Sequence, residues 1–213
     1  LGADDGVVST ASLMIGVAAA SASQEAVLIA GIAGLVAGAL SMAAGEYVSV
    51  SSQRDAEDAD IVREKHELAN DPKGELEELV AIYRKRGLDA GLAMQVAQQL
   101  SAAESRLTVH MREELGLEHS TLARPLQAAL VSAASFAALA VLPIIALVVA
   151  PASMRIGAIA LVSLLSLGLL GALGGRLGGA PMTRASLRVL VGGGAAMAIT
   201  ALIGHLLGVA GIG

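Results

Sequence analysis

Glu64 and Glu67 stand three residues apart in a stretch dense in helix formers, and Glu75 and Glu78 repeat that spacing. On a helix, residues three apart share a face, so each pair offers two carboxylates in one direction. Asn70-Asp71-Pro72 lies between the pairs and stops the first helix, so one pair can fold against the other. Met111, Glu113 and Glu114 follow on a later helix, with Met111 and Glu114 again three apart. Three helices that each supply such a set can enclose divalent cations, as carboxylate-rich bundles do. Converging like charges repel, so without metal some of these carboxyls should have raised pKa values. The same spacing also suits a solvated acidic face with ion pairs to Arg63, Lys65 and Lys73. His66 and His110 could add imidazole ligands, but each reads more readily as a surface histidine. His119 and His205 carry no usable pattern.

A second set lies in apolar surroundings. Asp4 and Asp5 open one hydrophobic segment, and Glu46 closes the next, with Met42 one helical turn before it. Ser9 and Ser12 continue the face of Asp5. A carboxylate in hydrocarbon costs about 2.5–3.5 kcal/mol near a helix centre on insertion scales, and such groups normally mark an ion path. Interfacial solvation is the alternative, and it suits Asp4 best. Carboxylates with a thioether form a mixed hard and soft donor set. That set favours Fe²⁺ or Mn²⁺ over Ca²⁺, which takes oxygen alone.

The elements that must position these groups follow from composition. The 213 residues are 55% hydrophobic and 15% charged, with a mean hydropathy of +0.70; a soluble domain carries about 25% charged residues. Of 19 acidic residues, 15 lie between Ser51 and Ser120, with 9 of the 14 Lys and Arg. The chain therefore reads as an all-α membrane protein with one polar insert, and it lacks the basic surface of a nucleic-acid binder. It has no cysteine, which excludes disulfides, zinc ribbons and thiol nucleophiles. It opens on Leu1 without an initiator Met, so a preceding segment is expected, and no signal peptide is visible.

A bilayer core about 30 Å thick takes roughly 20 apolar helical residues. Five segments approach this: 5–20, 26–50, 126–149 with Pro143 as a kink, 154–174 and 187–209. Turns are expected at 21–25 and 151–153, and a short basic loop at 174–184. The domains are then 1–50 with spans one and two, 51–120 as an acidic helical insert, a metal-binding domain if its carboxylates converge, and 121–213 with spans three to five. The insert should hold four helices. Residues 51–69 continue span two, and 75–86, 90–100 capped by Asp89, and 102–115 follow. Leu76, Leu79, Val80 and Tyr83 recur at helical spacing as its core. Gly34 and Gly38 form a GxxxG seam, which is either a packing or dimer face or part of a general Gly/Ala bias. With five spans, 13 Lys and Arg fall on the insert's side and Arg155 alone on the other, which places the insert in the cytosol.

Leu1 to Ser9 (LGADDGVVS) resembles the opening of span one in the vacuolar iron transporter family, which includes the yeast calcium-cross-complementer and plant nodulin-like proteins. Ser41 to Val50 (SMAAGEYVSV), with Ser52 to Asp55 (SQRD), is similar to its second-span signature. The likeness runs through the whole chain. It implies a homodimer with the pore between the first and second spans of both copies. It also implies Fe²⁺ and often Mn²⁺ export from the cytosol, driven by proton exchange. By motif, Asp5 matches the pore acid, Met42 the pore thioether, and Glu46 lies in the same signature. Glu64, Glu67, Glu75 and Glu78 match the family's two Glu-x-x-Glu pairs. Met111 and Glu114 match the ligands of the last helix, with Glu113 entering on a one-residue slip. Asp4 departs from the pattern, standing where a non-acidic residue is common.

The function expected is proton-coupled transport of Fe²⁺ and Mn²⁺, with Zn²⁺ or Co²⁺ as further candidate cargoes and no prosthetic group. A bacterial source, suggested by the Ala-rich composition, puts it in the plasma membrane; a eukaryotic one puts it in the vacuolar membrane. A membrane-anchored metal sensor or buffer is the alternative. No phosphate loop, zinc-hydrolase or nucleophile motif supports an enzyme, and the lack of a Glu-x-x-His pair argues against a ferroxidase.

Overall fold

The computed structural model describes residues 2–102, 106–118 and 121–210, and among them it is built from helices, with no strand. In chain order these are α1 (Gly2–Ala19), α2 (Gln24–Asn70), α3 (Pro72–Lys85), α4 (Ala90–Ser101), α5 (Arg106–Glu113), α6 (Pro125–Val149), α7 (Arg155–Leu177) and α8 (Met182–Val209), with a 3-10 turn at Ala152–Met154. Span two and the first insert helix form one 47-residue helix, α2, because no breaker intervenes before Asn70. The helix expected at 102–115 is described from Arg106; His119 lies outside the described residues.

Four described helices are long and apolar enough to cross a membrane: α2, α6, α8, and α7 with the 3-10 turn before it. The fifth expected span, α1, is not among them. It has 18 residues and carries Asp4 and Asp5 in its first turn, which lower its apolar character.

The chain divides into two compact units, 1–47 with 126–213, and 48–125. In the first, Val7, Ala11, Met14 and Ile15 of α1 pack with Val27, Leu147, Ile159, Leu167 and Met197 in one apolar core. Small residues let backbones approach in such a bundle. A Cβ on Gly204 of α8 would lie 1.9 Å from the carbonyl oxygen of Gly16 in α1, and a Cβ on Gly38 would lie 2.1 Å from the ring of Phe136. The GxxxG seam is thus used within one chain, at least at Gly38.

In the second unit Leu79, Tyr83, Ala93, Ala97 and Val109 form a separate core, with Leu76 and Val80 packed against it. Asp71 caps α3 by accepting from the Gly74 amide at 2.9 Å, with Pro72 in the first turn. Asp89 caps α4 by accepting from the Leu92 amide at 3.0 Å. Such caps satisfy amides that have no partner inside the helix.

Candidate metal centre

Three local devices bring acidic side chains together in the 48–125 unit. The break at Asn70–Pro72 starts α3 directly after α2, with Glu75 in its first turn. The guanidinium of Arg106 then donates to the carbonyl of Leu68 near the end of α2, at 2.8 Å. This fastens the first turn of α5 beside α2 and sets His110, one turn further on, against Glu64. Finally, the Glu114 amide donates to the His110 carbonyl at 2.9 Å, so the helical path of α5 carries Glu114 onto the His110 face.

The outcome is a group of four: Glu64, Glu75, His110 and Glu114 each offer one ligand atom, all within 4.8 Å of one another. Nδ1 of His110 lies 3.0 Å from Oε1 of Glu64, 3.4 Å from Oε2 of Glu75 and 3.6 Å from Oε2 of Glu114. Glu64, Glu75 and His110 are buried, at 2%, 6% and 1% exposure. Oε1 of Glu64, Oε2 of Glu75 and both ring nitrogens of His110 are buried without a hydrogen bond of acceptable geometry. Buried polar atoms are normally satisfied, so the orphaned oxygens of Glu64 and Glu75 converging on Nδ1 of His110 mark a place that can take a non-protein ligand.

Electrostatics agree. Burial, then the charges of Glu114 and Glu75, push the Glu64 carboxyl up to about 7. Burial and the charge of Glu78 raise Glu75. Burial lowers His110, with Glu114 working against it, so the imidazole is held in the neutral form that binds metals. Three carboxylates and one imidazole suit a divalent transition metal better than an all-oxygen Ca²⁺ cage.

The other expected ligands fall as follows. Glu67 is half-buried and Glu78 exposed, both close enough for their charge to bear on the buried group. Met111 is fully buried. Glu113 is ion-paired, with Arg112 at 2.7 Å and with Arg86. Burial alone would raise it, but those hydrogen bonds hold it below the usual carboxylate range. His110 corrects the surface assignment made from sequence. Its i, i+4 spacing to Glu114 was the available signal, a face shared with a carboxylate. His66 is exposed, with its ring nitrogen 3.1 Å from the Asn70 amide group. Arg63 pairs with Asp60 at 2.7 Å rather than with the cluster.

In the 1–47 and 126–213 unit, Asp5 is exposed, while Met42 and Glu46 are half-buried. Asp4 is half-buried, with Oδ1 enclosed and without a partner. Among the described residues, Asp5 and Glu46 belong to no converging group of three metal-binding side chains within a single chain.

Four apolar helices of membrane-crossing length and a carboxylate–imidazole cluster able to hold a metal ion describe a multi-pass membrane protein with a candidate metal site. The comparisons with known proteins give its kin. The model of the VIT family matches residues 1–205. The chain is 48% identical over 207 residues to a "Vacuolar iron transporter" of Acanthamoeba castellanii, covering 97% of this chain and 76% of that one. It is 38% identical over 214 residues to "Vacuolar iron transporter homolog 1" of Oryza sativa subsp. japonica (100% and 73%). It is 39% identical over 209 residues to "Vacuolar iron transporter homolog 3" of Arabidopsis thaliana (98% and 80%). The chain belongs to the VIT family of vacuolar iron transporters, and with it to the proteins that move iron across membranes.

Proposed function

We propose that the protein exports Fe²⁺, and Mn²⁺ with it, from the cytosol in exchange for protons. One observation carries the reading: the orphaned, mutually facing donors of Glu64, Glu75 and His110, joined by Glu114. The 48–125 unit is the cytosolic collector, and α1 serves as a fifth span. Metal enters among these donors, with Glu67, Glu78 and Met111 as accessory ligands at its approach. It passes to a pore on the axis of a homodimer, where Asp5, Met42 and Glu46 of both copies supply carboxylate and thioether. The exposure of Asp5 in the single chain suits a residue completed by a second copy. Protons from the far side neutralise the pore carboxylates and release the metal, since proton and metal compete for the same lone pairs.

Proteoliposomes with an acidic interior test this. Fe²⁺ should enter while protons leave, at a rate that collapses when the pH gradient is dissipated. Metal bound with no flux under any gradient would leave the sensor or buffer reading standing instead.

A further inference from the structure

The C-termini of α1 and α6 and the N-termini of α2 and α7 meet around a cavity of about 190 Å³. Its polar lining includes Gln24, Ser153 and Arg155, and its apolar lining includes Val27, Leu147 and Ile156. Arg155 is the only Lys or Arg between Arg124 and Arg176, so its position is not part of a basic surface. Its Nε is buried with no acceptor, and an Nη donates to the amide oxygen of Gln24, a neutral group. The ion pairs found among the described residues do not include it.

A guanidinium partly withdrawn from water without a counter-charge is costly. Its fork of donors matches a phosphate group. Arg155 also opens α7, which has no side-chain cap, so the positive end of that helix's dipole lies at the same place. Ile156 is 43% exposed, so the apolar wall continues onto a surface that a lipid chain can cover. We propose that this cavity binds a phosphate group held by Arg155, with Ser153 as a further donor and the positive end of α7 beside them. A phospholipid headgroup and free inorganic phosphate share that chemistry.

The test uses the full chain in detergent, observed by native mass spectrometry and then delipidated and titrated. The probes are phosphatidylglycerol, the matching diacylglycerol without phosphate, and inorganic phosphate. Phosphatidylglycerol should bind at one per chain and diacylglycerol should not. Arg155→Gln should weaken binding about tenfold, the usual worth of a charge-assisted contact. Ser153→Trp fills the cavity while keeping the charge, and it should abolish binding in a protein that still elutes as the wild type does. Saturable inorganic phosphate binding lost in both variants would assign the site to the free anion. Equal binding of phosphatidylglycerol and diacylglycerol, or equal phosphate-group binding by wild type and both variants, overturns the proposal. None of these readouts depends on metal transport.

Discussion

Nδ1 of His110 and Oε1 of Glu64 approach to 3.0 Å in a buried site, yet neither atom has a satisfactory hydrogen bond. A neutral imidazole beside a carboxyl of raised pKa is a poor ion pair and a good pair of metal ligands. His110→Gln or Glu64→Gln should weaken Mn²⁺ binding by about ten- to a hundredfold, the worth of one charged contact in a buried site. Isothermal titration of the purified full chain measures it. Wild-type affinity in both variants would mean that metal binds elsewhere.

Glu113 supplies the contrast. It is sequence-adjacent to Glu114 but tied to Arg86 and Arg112. Glu113→Gln should leave Mn²⁺ affinity within about twofold and lower stability by about 0.5–1.5 kcal/mol, as the loss of partly exposed ion pairs does. A large drop in affinity with unchanged unfolding would put Glu113 back among the ligands.

These two residues also mark what the sequence could and could not disclose. Local chemistry was readable: the uninterrupted run into α2, the stop at Asn70–Pro72, the Asp89 cap and the Leu79–Tyr83 core all depend on neighbours within a turn or two. The fate of His110 and Glu113 depends on partners 46 and 27 residues away, Glu64 and Arg86. No local pattern encodes which face of the short helix α5 meets α2. The Glu-x-x-Glu spacing located the right helices, but only the first member of each pair, Glu64 and Glu75, joins the cluster, while the exposure of Glu78 is set by how α3 rolls on its own core.

The pH dependence of the metal-free chain follows from the same cluster. Glu64 titrates at about 7 when folded against an ordinary 4.5, and Glu75 shifts the same way. Acids with raised folded pKa values stabilise fully below the ordinary value and lose that contribution as pH rises through the folded one. His110, shifted down, acts in the opposite sense, with its contribution lost as pH falls below 6.5. Two carboxylates against one imidazole make the net change a loss. Thermal unfolding of the metal-free protein should therefore move to lower temperature between about pH 4.5 and 7. Saturating Mn²⁺ should reverse the trend, because metal stabilises the ionised form. A metal-free Tm that climbs across this range would contradict the buried geometry.

Gly38 tests the packing of the membrane unit. A Cβ there would meet the Phe136 ring at 2.1 Å, and Phe136 is 1% exposed, so the ring has little room to yield. Gly38→Leu should destabilise by about 1–3 kcal/mol, as overpacking does. Combining Gly38→Ala with Phe136→Leu should recover part of the loss relative to Gly38→Ala alone. Scanning calorimetry in detergent reads both. Strictly additive effects would mean that the two positions do not touch, and that the seam serves a surface outside the chain.

The proposed division of labour between collector and pore predicts that the two can be uncoupled. Asp5 and Met42 lie on α1 and on the apolar part of α2, and Glu64, Glu75, His110 and Glu114 lie in the other compact unit. Asp5→Asn keeps the size of the side chain and removes its charge; Met42→Leu keeps its volume and removes the sulfur. If metal and proton compete at Asp5, its amide variant should lose at least about tenfold in Fe²⁺ flux and in coupled proton release, since one ligand charge is gone. Mn²⁺ binding at the collector should stay within about twofold, because the altered group is not part of that site. Met42→Leu should slow transition-metal flux in the same assay, because the soft donor has been replaced by one with no affinity for metal. The reverse pair, His110→Gln and Glu64→Gln, should raise the Fe²⁺ concentration needed for half-maximal flux while leaving the rate at saturating metal close to wild type. Flux and binding falling together in Asp5→Asn would show a single cooperative site, and unchanged flux in both membrane variants would remove Asp5 and Met42 from the pore.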